Sequence, residues 1–273
     1  MEYPIAFMVA GLSKRFGGKP KGFAKIGANQ ESLIELSIDR AIEAGFNKII
    51  FIVGMETRDA FQEFFKDDYK NIPVEYILQS YDPKFRDRPW GTTDAACNIL
   101  DQINGPVLIC TGDDLYSKES YKALFDHINK ENTNATIGYD LGEHLPETGE
   151  VNRGIFQIKD NYVTNAKEVL KVSRINLEEK ELSLSSKCNC GIFLIQKDTL
   201  EKLNEILIQF KKENQENRTK ECYLNVELGN LIKNNKIKLR YYEGKGKLIG
   251  ITNPEDESVA RKELAKSNSL EKY

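Results

Sequence analysis

Three glycines and four cations crowd one short segment, Gly11-Leu12-Ser13-Lys14-Arg15-Phe16-Gly17-Gly18-Lys19-Pro20-Lys21, directly after the apolar run Ile5-Ala6-Phe7-Met8-Val9 and Ala10. Glycines let backbone N–H groups approach phosphate oxygens and the cations neutralise them, so the chemistry on offer is polyphosphate binding. A Walker loop needs Ser or Thr after its lysine, but Pro20 follows Gly17-Gly18-Lys19, and the dinucleotide fingerprint Gly-x-Gly-x-x-Gly is also absent. Alone, such a loop reads as a strand-to-helix turn with solvated basic residues. It gains weight from two segments further along.

In Cys110-Thr111-Gly112-Asp113-Asp114, an apolar run ends in a glycine and two adjacent carboxylates. An acid at a strand tip offers a hard cation an open coordination position, and magnesium there can bridge to phosphate oxygens. The same pair also suits a plain turn, with Asp114 capping the helix that begins near Ser117. Asp113 is therefore assigned to the metal and Asp114 to local hydrogen bonding. The third segment runs from Gln79-Ser80-Tyr81 to Arg88-Pro89-Trp90-Gly91-Thr92-Thr93-Asp94-Ala95-Ala96. It closes on Gly-Thr at a helix start, where the N–H groups of Gly91 and Thr92 can meet an anion or a base edge, and Gln79 adds a paired donor and acceptor. Trp90 reads equally as a base platform or as a staple beneath the helix.

Elements must bring these segments together. Apolar runs at 5–10, 49–54, 74–79 and 106–111 alternate with helical patterns at 33–44, 57–65 and 92–103. That rhythm is βαβ, a mostly parallel sheet with helices on both faces, and such sheets bind ligands at the carboxyl ends of their strands. From about residue 129 the pattern changes to short strands at 136–141, 154–159, 162–166 and 191–196, a mixed or antiparallel extension with a polar loop at 142–152. Helices follow at 199–212 and 223–234, then a last strand pair at 237–242 and 248–251, and Asn253-Pro254-Glu255-Asp256 opens a terminal helix.

At 273 residues, 40% hydrophobic and 30% charged, the chain suits one large domain with a substantial core. A net charge of −3 gives no argument for a nucleic-acid surface, so the expected partners are small anions. The chain opens on a strand without a basic-then-apolar leader, and no apolar run approaches the ~20 residues of a membrane span; the cytoplasm is the expected location. Five cysteines, scattered and odd in number, argue for reduced thiols. Cys188-Asn189-Cys190 lacks histidines in ligand spacing, since His127 and His144 lie far off in sequence.

With the three segments in this order, the chain resembles the sugar-1-phosphate nucleotidylyltransferase superfamily, especially its smaller members with Pro-Trp-Gly-Thr and Asp-Asp-x-Tyr segments. The likeness covers nearly the whole chain. It runs through Pro89-Trp90-Gly91-Thr92 and Gly112-Asp113-Asp114-Leu115-Tyr116 to Arg153-Gly154-Ile155-Phe156 and Asn165-Ala166-Lys167-Glu168, then Asn189-Cys190-Gly191-Ile192-Phe193 and Glu221-Cys222-Tyr223-Leu224. It implies an α/β fold, a Rossmann-like mixed and mostly parallel sheet flanked by helices. It also implies a single nucleotidyltransferase domain over 1–266, with a nucleotide-binding half to about 130, an acceptor-binding half from 131, and a frayed tail at 267–273.

Carried over by position, the resemblance puts Arg15 and Lys21 on the triphosphate, with Lys21 nearest the α-phosphate. Ala10, Gly11, Ser13, Gln79, Gly91, Thr92 and Gly112 line the nucleotide, and Mg²⁺ sits on Asp113. Lys167 grips the acceptor phosphate, and Gly154, Asn189 and Glu221 meet the sugar. A second metal ligand near the last strand falls to Asn253 or Asp256, both equally explained as helix-cap residues. The implied reaction joins a nucleoside triphosphate to a phosphorylated acceptor, a sugar 1-phosphate, with neither nucleic acid nor membrane as partner and a homo-oligomer allowed. Competing readings are a cytidylyltransferase for a phosphorylated alcohol or amine such as choline phosphate, a metal-dependent glycosyltransferase, and a catalytically silent nucleotide-sugar sensor. The motifs leave base and acceptor open.

Overall fold

Alternation along the first strands decides the layering. In β1 (Pro4–Val9), β2 (Lys48–Val53) and β5 (Val107–Thr111), successive residues feed two separate cores. Ile5, Phe7, Ile49, Phe51, Leu108 and Cys110 enter one, while Ala6, Ile50, Ile52, Val107 and Ile109 enter the other. A strand apolar on both sides must be covered on both sides. Helices α1 (Leu33–Ala44), α2 (Arg58–Phe65) and α4 (Lys118–Ile128) cover the first face, through Ile34, Ile38, Phe61, Phe65, Tyr121 and Leu124. On the second face lie α3 (Thr92–Cys97), α5 (Lys197–Glu213) and α6 (Leu224–Lys233).

The computed structural model describes residues 1–11, 17–18, 20–147, 149–251 and 256–270. Ser13, Arg15 and Asn253 lie outside these. Among the described residues the main sheet has ten strands in the order β3 (Asp68–Tyr69), β4 (Ile72–Leu78), β2, β1, β5, β10 (Lys187–Ile195), β7 (Asn134–Asp140), β11 (Leu239–Glu243), β9 (Tyr162–Val172), β8 (Val151–Lys159). The four strands β4, β2, β1 and β5 are parallel, as the βαβ rhythm predicts. From β10 onward the sheet is mixed: β10 pairs antiparallel with both β5 and β7, and β8 with β9.

Among the differences from the sequence expectation, three bear on the site. The helix expected over 92–103 stops at Cys97, because Asn98 takes the cap and Ile99 leaves helical geometry at φ −91°, ψ 0°. Strand β9 runs to Val172, well past residue 166, because pairing with β8 overrides the weak strand preference of Lys167, Glu168 and Lys171. The last two strands do not pair with each other. β11 joins β7 and β9, whereas β12 (Ile249–Gly250) pairs with β6 (Asp114–Leu115). Helix α7 (Asp256–Leu270) packs on that small ribbon through Ala260 and Leu264, and its backbone continues through Ser267 to Leu270.

Two long loops, 79–91 and 214–223, are clasped together over the carboxyl ends of the strands. Arg86, 2% exposed, donates Nε to Arg88 O, Nη1 to Asn217 O, and Nη2 to both Pro89 O and Lys220 O. Its guanidinium lies 3.6 Å from the centre of the Trp90 ring, which meets Phe210 edge-on. Trp90 is thus a structural platform for Arg86. Backbone bonds complete the clasp: Cys222 N donates to Trp90 O at 2.7 Å and Thr93 N to Cys222 O at 3.1 Å. Removing the buried Arg86 takes the partner from four carbonyls at once, so Arg86→Ala should lose roughly 2–4 kcal/mol in urea unfolding, and Arg86→Lys should recover only part. A loss below about 1 kcal/mol would contradict this role.

Candidate active site

The loops after β1, β4 and β5 emerge at one end of the sheet, as its topology requires. Next to them sits the single turn Lys21–Phe23. The Phe23 ring packs 4.7 Å from Phe61 and 5.2 Å from Phe64, which anchors the turn in the aromatic cluster of α2. Gly22 lies against the tip of β5: a Cβ there would stand 2.6 Å from Gly112 O and 3.3 Å from Ile34 Cβ. Only a residue without a side chain allows that approach. Its result is Lys21 Nζ donating to Asp113 Oδ2 at 3.1 Å, with both side chains partly exposed to the cleft.

Asp114 has a different fate. It accepts a hydrogen bond from Thr111 Oγ1 at 2.8 Å, and burial, then the neighbouring Asp113 charge, push its carboxyl up to about 7. Thr111 Oγ1 also lies 2.8 Å from the Tyr116 hydroxyl, which donates to Cys190 O. Helix α4 is capped by Ser117, whose side chain accepts from Ser120 N, so Asp114 is not its cap. Asp113 thus opens on the cleft beside Lys21, while Asp114 makes local bonds.

The cleft has three adjoining compartments. One of about 140 Å³ is lined by Gly11, Pro20, Lys21, Gly22, Gly112 and Asp113. A second, of about 280 Å³, holds Ala10, Gln79, Gly91, Thr92, Glu221 and Tyr223, and it shares Gly11 and Asp113 with the first. Gln79 is buried and committed, donating Nε2 to Gly91 O at 3.0 Å and to Asp94 Oδ2 at 2.8 Å. Asp94, itself buried, is also held by Lys211 of α5. The orientation of Gln79 is therefore fixed by three elements. Thr92 Oγ1 accepts from Leu224 N at 2.9 Å, and Glu221 accepts from the Tyr223 hydroxyl at 2.9 Å.

The third compartment, about 290 Å³, includes Asp114, Arg153, Gly154, Glu168, Asn189 and Asn225 among its walls. It meets the second at Thr92, Thr111 and Tyr223. A Cβ at Gly154 would stand 2.7 Å from Asn225 Nδ2, so the glycine lets α6 close on β8. Asn225 Nδ2 donates to Glu168 Oε2 at 2.7 Å, and Asn189 Oδ1 accepts from Gly191 N at 2.7 Å.

The sequence-predicted residues thus divide. Lys21, Asp113, Ala10, Gly11, Gln79, Gly91, Thr92, Gly112, Gly154, Asn189 and Glu221 all line one continuous cleft. Lys167 lines none of the three compartments. It is exposed and pairs with Ile155 on β8, next to Glu168, which pairs with Gly154 and lines the third compartment. Asp256 opens α7 and also lines none of them. Sequence reasoning misses Arg153, Glu168 and Asn225. The first two stand inside motifs that carry the resemblance, and the period of two in β8 and β9 is the signal that separates Glu168 from Lys167.

The family model described as nucleotidyl transferase matches residues 19–233. A search of curated proteins finds no match. Among solved structures, a protein described as a glucose-1-phosphate thymidylyltransferase from Bacillus anthracis, in complex with a sucrose, superposes with a TM-score of 0.71 at 15% identity, covering 96% of both chains. A UDP-glucose pyrophosphorylase complexed with UDP-glucose gives 0.68 at 19% identity over 98% of this chain and 100% of that one. The inositol-1-phosphate CTP transferase of T. maritima gives 0.68 at 13% identity over 97% and 96%. At such identities these structures establish the shared fold, and the family match extends over most of the chain: this protein belongs to the nucleotidyl transferase family.

Proposed function

We propose that the chain joins a nucleoside triphosphate to a sugar 1-phosphate, with Mg²⁺, giving a nucleotide sugar and pyrophosphate. The observation that carries this reading is the Lys21–Asp113 pair, which stands beside the compartment of Gln79 and Gly91 and one residue from Asp114 of the third compartment. In it the triphosphate lies along the first loop, with Arg15 and Ser13 as further contacts, and the base meets Gln79 and Gly91. Magnesium takes one or two carboxylates together with substrate phosphates, and Asp113 fits that donor set. When bound, the ion neutralises phosphate charge.

A phosphomonoester has a second pKa of about 6 and is a dianion near neutral pH. Its oxygen attacks the α-phosphorus, the bond from that phosphorus to the departing pyrophosphate breaks, and no proton needs to move. The protein's task is positioning and charge neutralisation, with Lys21 donating to the oxygens of the reacting phosphate. Polar groups of the third compartment support a polyol acceptor. With their present bonds made, the Asn189 amide and the second oxygen of Glu168 remain for ligand hydroxyls, which both donate and accept.

Pyrophosphate release should be Mg²⁺-dependent with at least one triphosphate paired with one sugar 1-phosphate, and Lys21→Ala and Asp113→Asn should each lower kcat roughly 100- to 1,000-fold. No release across panels of triphosphates, sugar 1-phosphates and choline phosphate, with nucleotide binding intact by calorimetry, would contradict the reading. Asp114 has a separate signature in pH. Its folded carboxyl titrates near 7, above the ordinary value of 3.8, so the native state carries a charge penalty that grows as pH rises between those values. Asp114→Asn removes the titration and retains an acceptor for Thr111. Its melting temperature should therefore rise relative to the parent between pH 5 and pH 8, and a pH-independent difference would contradict the assignment.

A further inference from the structure

We infer that Arg153 is the cation that holds the phosphate of the acceptor, a role that rests on the transferase reading above. Arg153 lines the third compartment together with Asp114, Gly154, Glu168 and Asn189. Its Nη2 donates to His144 O at 2.9 Å and its Nη1 to Asn152 O at 3.2 Å, while its Nε is buried without any partner. No carboxylate lies within ion-pair distance of it among the described residues, although the cleft around it contains Asp114 and Glu168. A partly buried guanidinium bonded to neutral carbonyls alone, with one donor left over, is a charge that an anionic ligand completes.

Position identifies which part of the ligand that is. Arg153 shares its compartment with Thr111 and Asp114, at the tip of β5, and the neighbouring Asp113 is paired with Lys21. The end of the acceptor nearest that tip must be the phosphate, because its oxygen has to reach the α-phosphorus. Glu168 and Asn189 are left for the hydroxyls. In the register of β8 and β9, Arg153 stands opposite Val169 and Lys167 opposite Ile155, so the two cations share one face of the hairpin, and of the two only Arg153 is among the walls of the third compartment.

The test is steady-state kinetics of pyrophosphate release with triphosphate and sugar 1-phosphate varied in turn, for the parent, Arg153→Gln and Arg153→Lys. Arg153→Gln should lower kcat/KM for the acceptor roughly 30-fold or more, as for loss of one partner of a buried charge pair, with triphosphate affinity by calorimetry within about twofold of the parent. Arg153→Lys should restore part of the loss, since it keeps the charge and gives up the fork. Thermal melting of both variants separates this from misfolding. Parental acceptor kinetics in a folded Arg153→Gln protein would overturn the assignment and leave the transferase reading standing, as would an acceptor defect found in Lys167→Ala instead. A parent that binds triphosphate and releases no pyrophosphate with any acceptor would overturn both.

Discussion

The close approach of Gly22 to the carbonyl of Gly112 is the contact on which the rest of the site depends. It joins two pieces of chain about ninety residues apart, one carrying a lysine and the other an aspartate, and sets them 3.1 Å apart at the mouth of the cleft. Neither side could hold that geometry alone. The turn is pinned by Phe23 in the aromatic cluster of α2, and the tip of β5 is pinned by parallel pairing with β1. Catalysis that works by placing charges, without moving protons, needs both anchors to be rigid.

The clasp built on Arg86 serves the other side of the cleft. Trp90 O and Cys222 O bind the two loops in register, and Gly91, Thr92, Glu221 and Tyr223 all sit within or beside this seam. The wall of the second compartment is therefore continuous with that of the third. Ion pairs on its outer surface, such as Arg218 with Asp87, are solvent-exposed and contribute little by comparison. The buried cation inside, with its carbonyl ligands and its aromatic platform, is what holds the loops together.

Much of this is legible in the order of residues along the chain. Apolar runs set the parallel half of the sheet, and Gly11 and Lys21, the Asp113-Asp114 pair and Gly91-Thr92 fall on one cleft because they follow strands that end on the same side. The second half is harder to read. Lys167, Glu168 and Lys171 disguise the later half of β9 as loop, so its alternation is masked, and the resemblance names Lys167 where Glu168 lines the third compartment. Arg153 is hidden for another reason: its worth lies in an unpartnered Nε, which depends on the carbonyls that surround it and on no spacing in the chain. Trp90 is undecidable by type, since a ring that stacks on a base and one that stacks on a guanidinium look alike in sequence.

The measurement that tests this account most directly is the turnover number of Gly22→Ala. A methyl group placed 2.6 Å from a backbone oxygen must push the turn away from β5 and carry Lys21 off Asp113. Displacement on the order of 1 Å at a reacting centre costs about 100-fold in rate, so kcat for pyrophosphate release should fall on that scale while nucleotide still binds and the fold still melts cooperatively. Parental kcat in a folded Gly22→Ala protein would contradict the claim that this contact positions the chemistry.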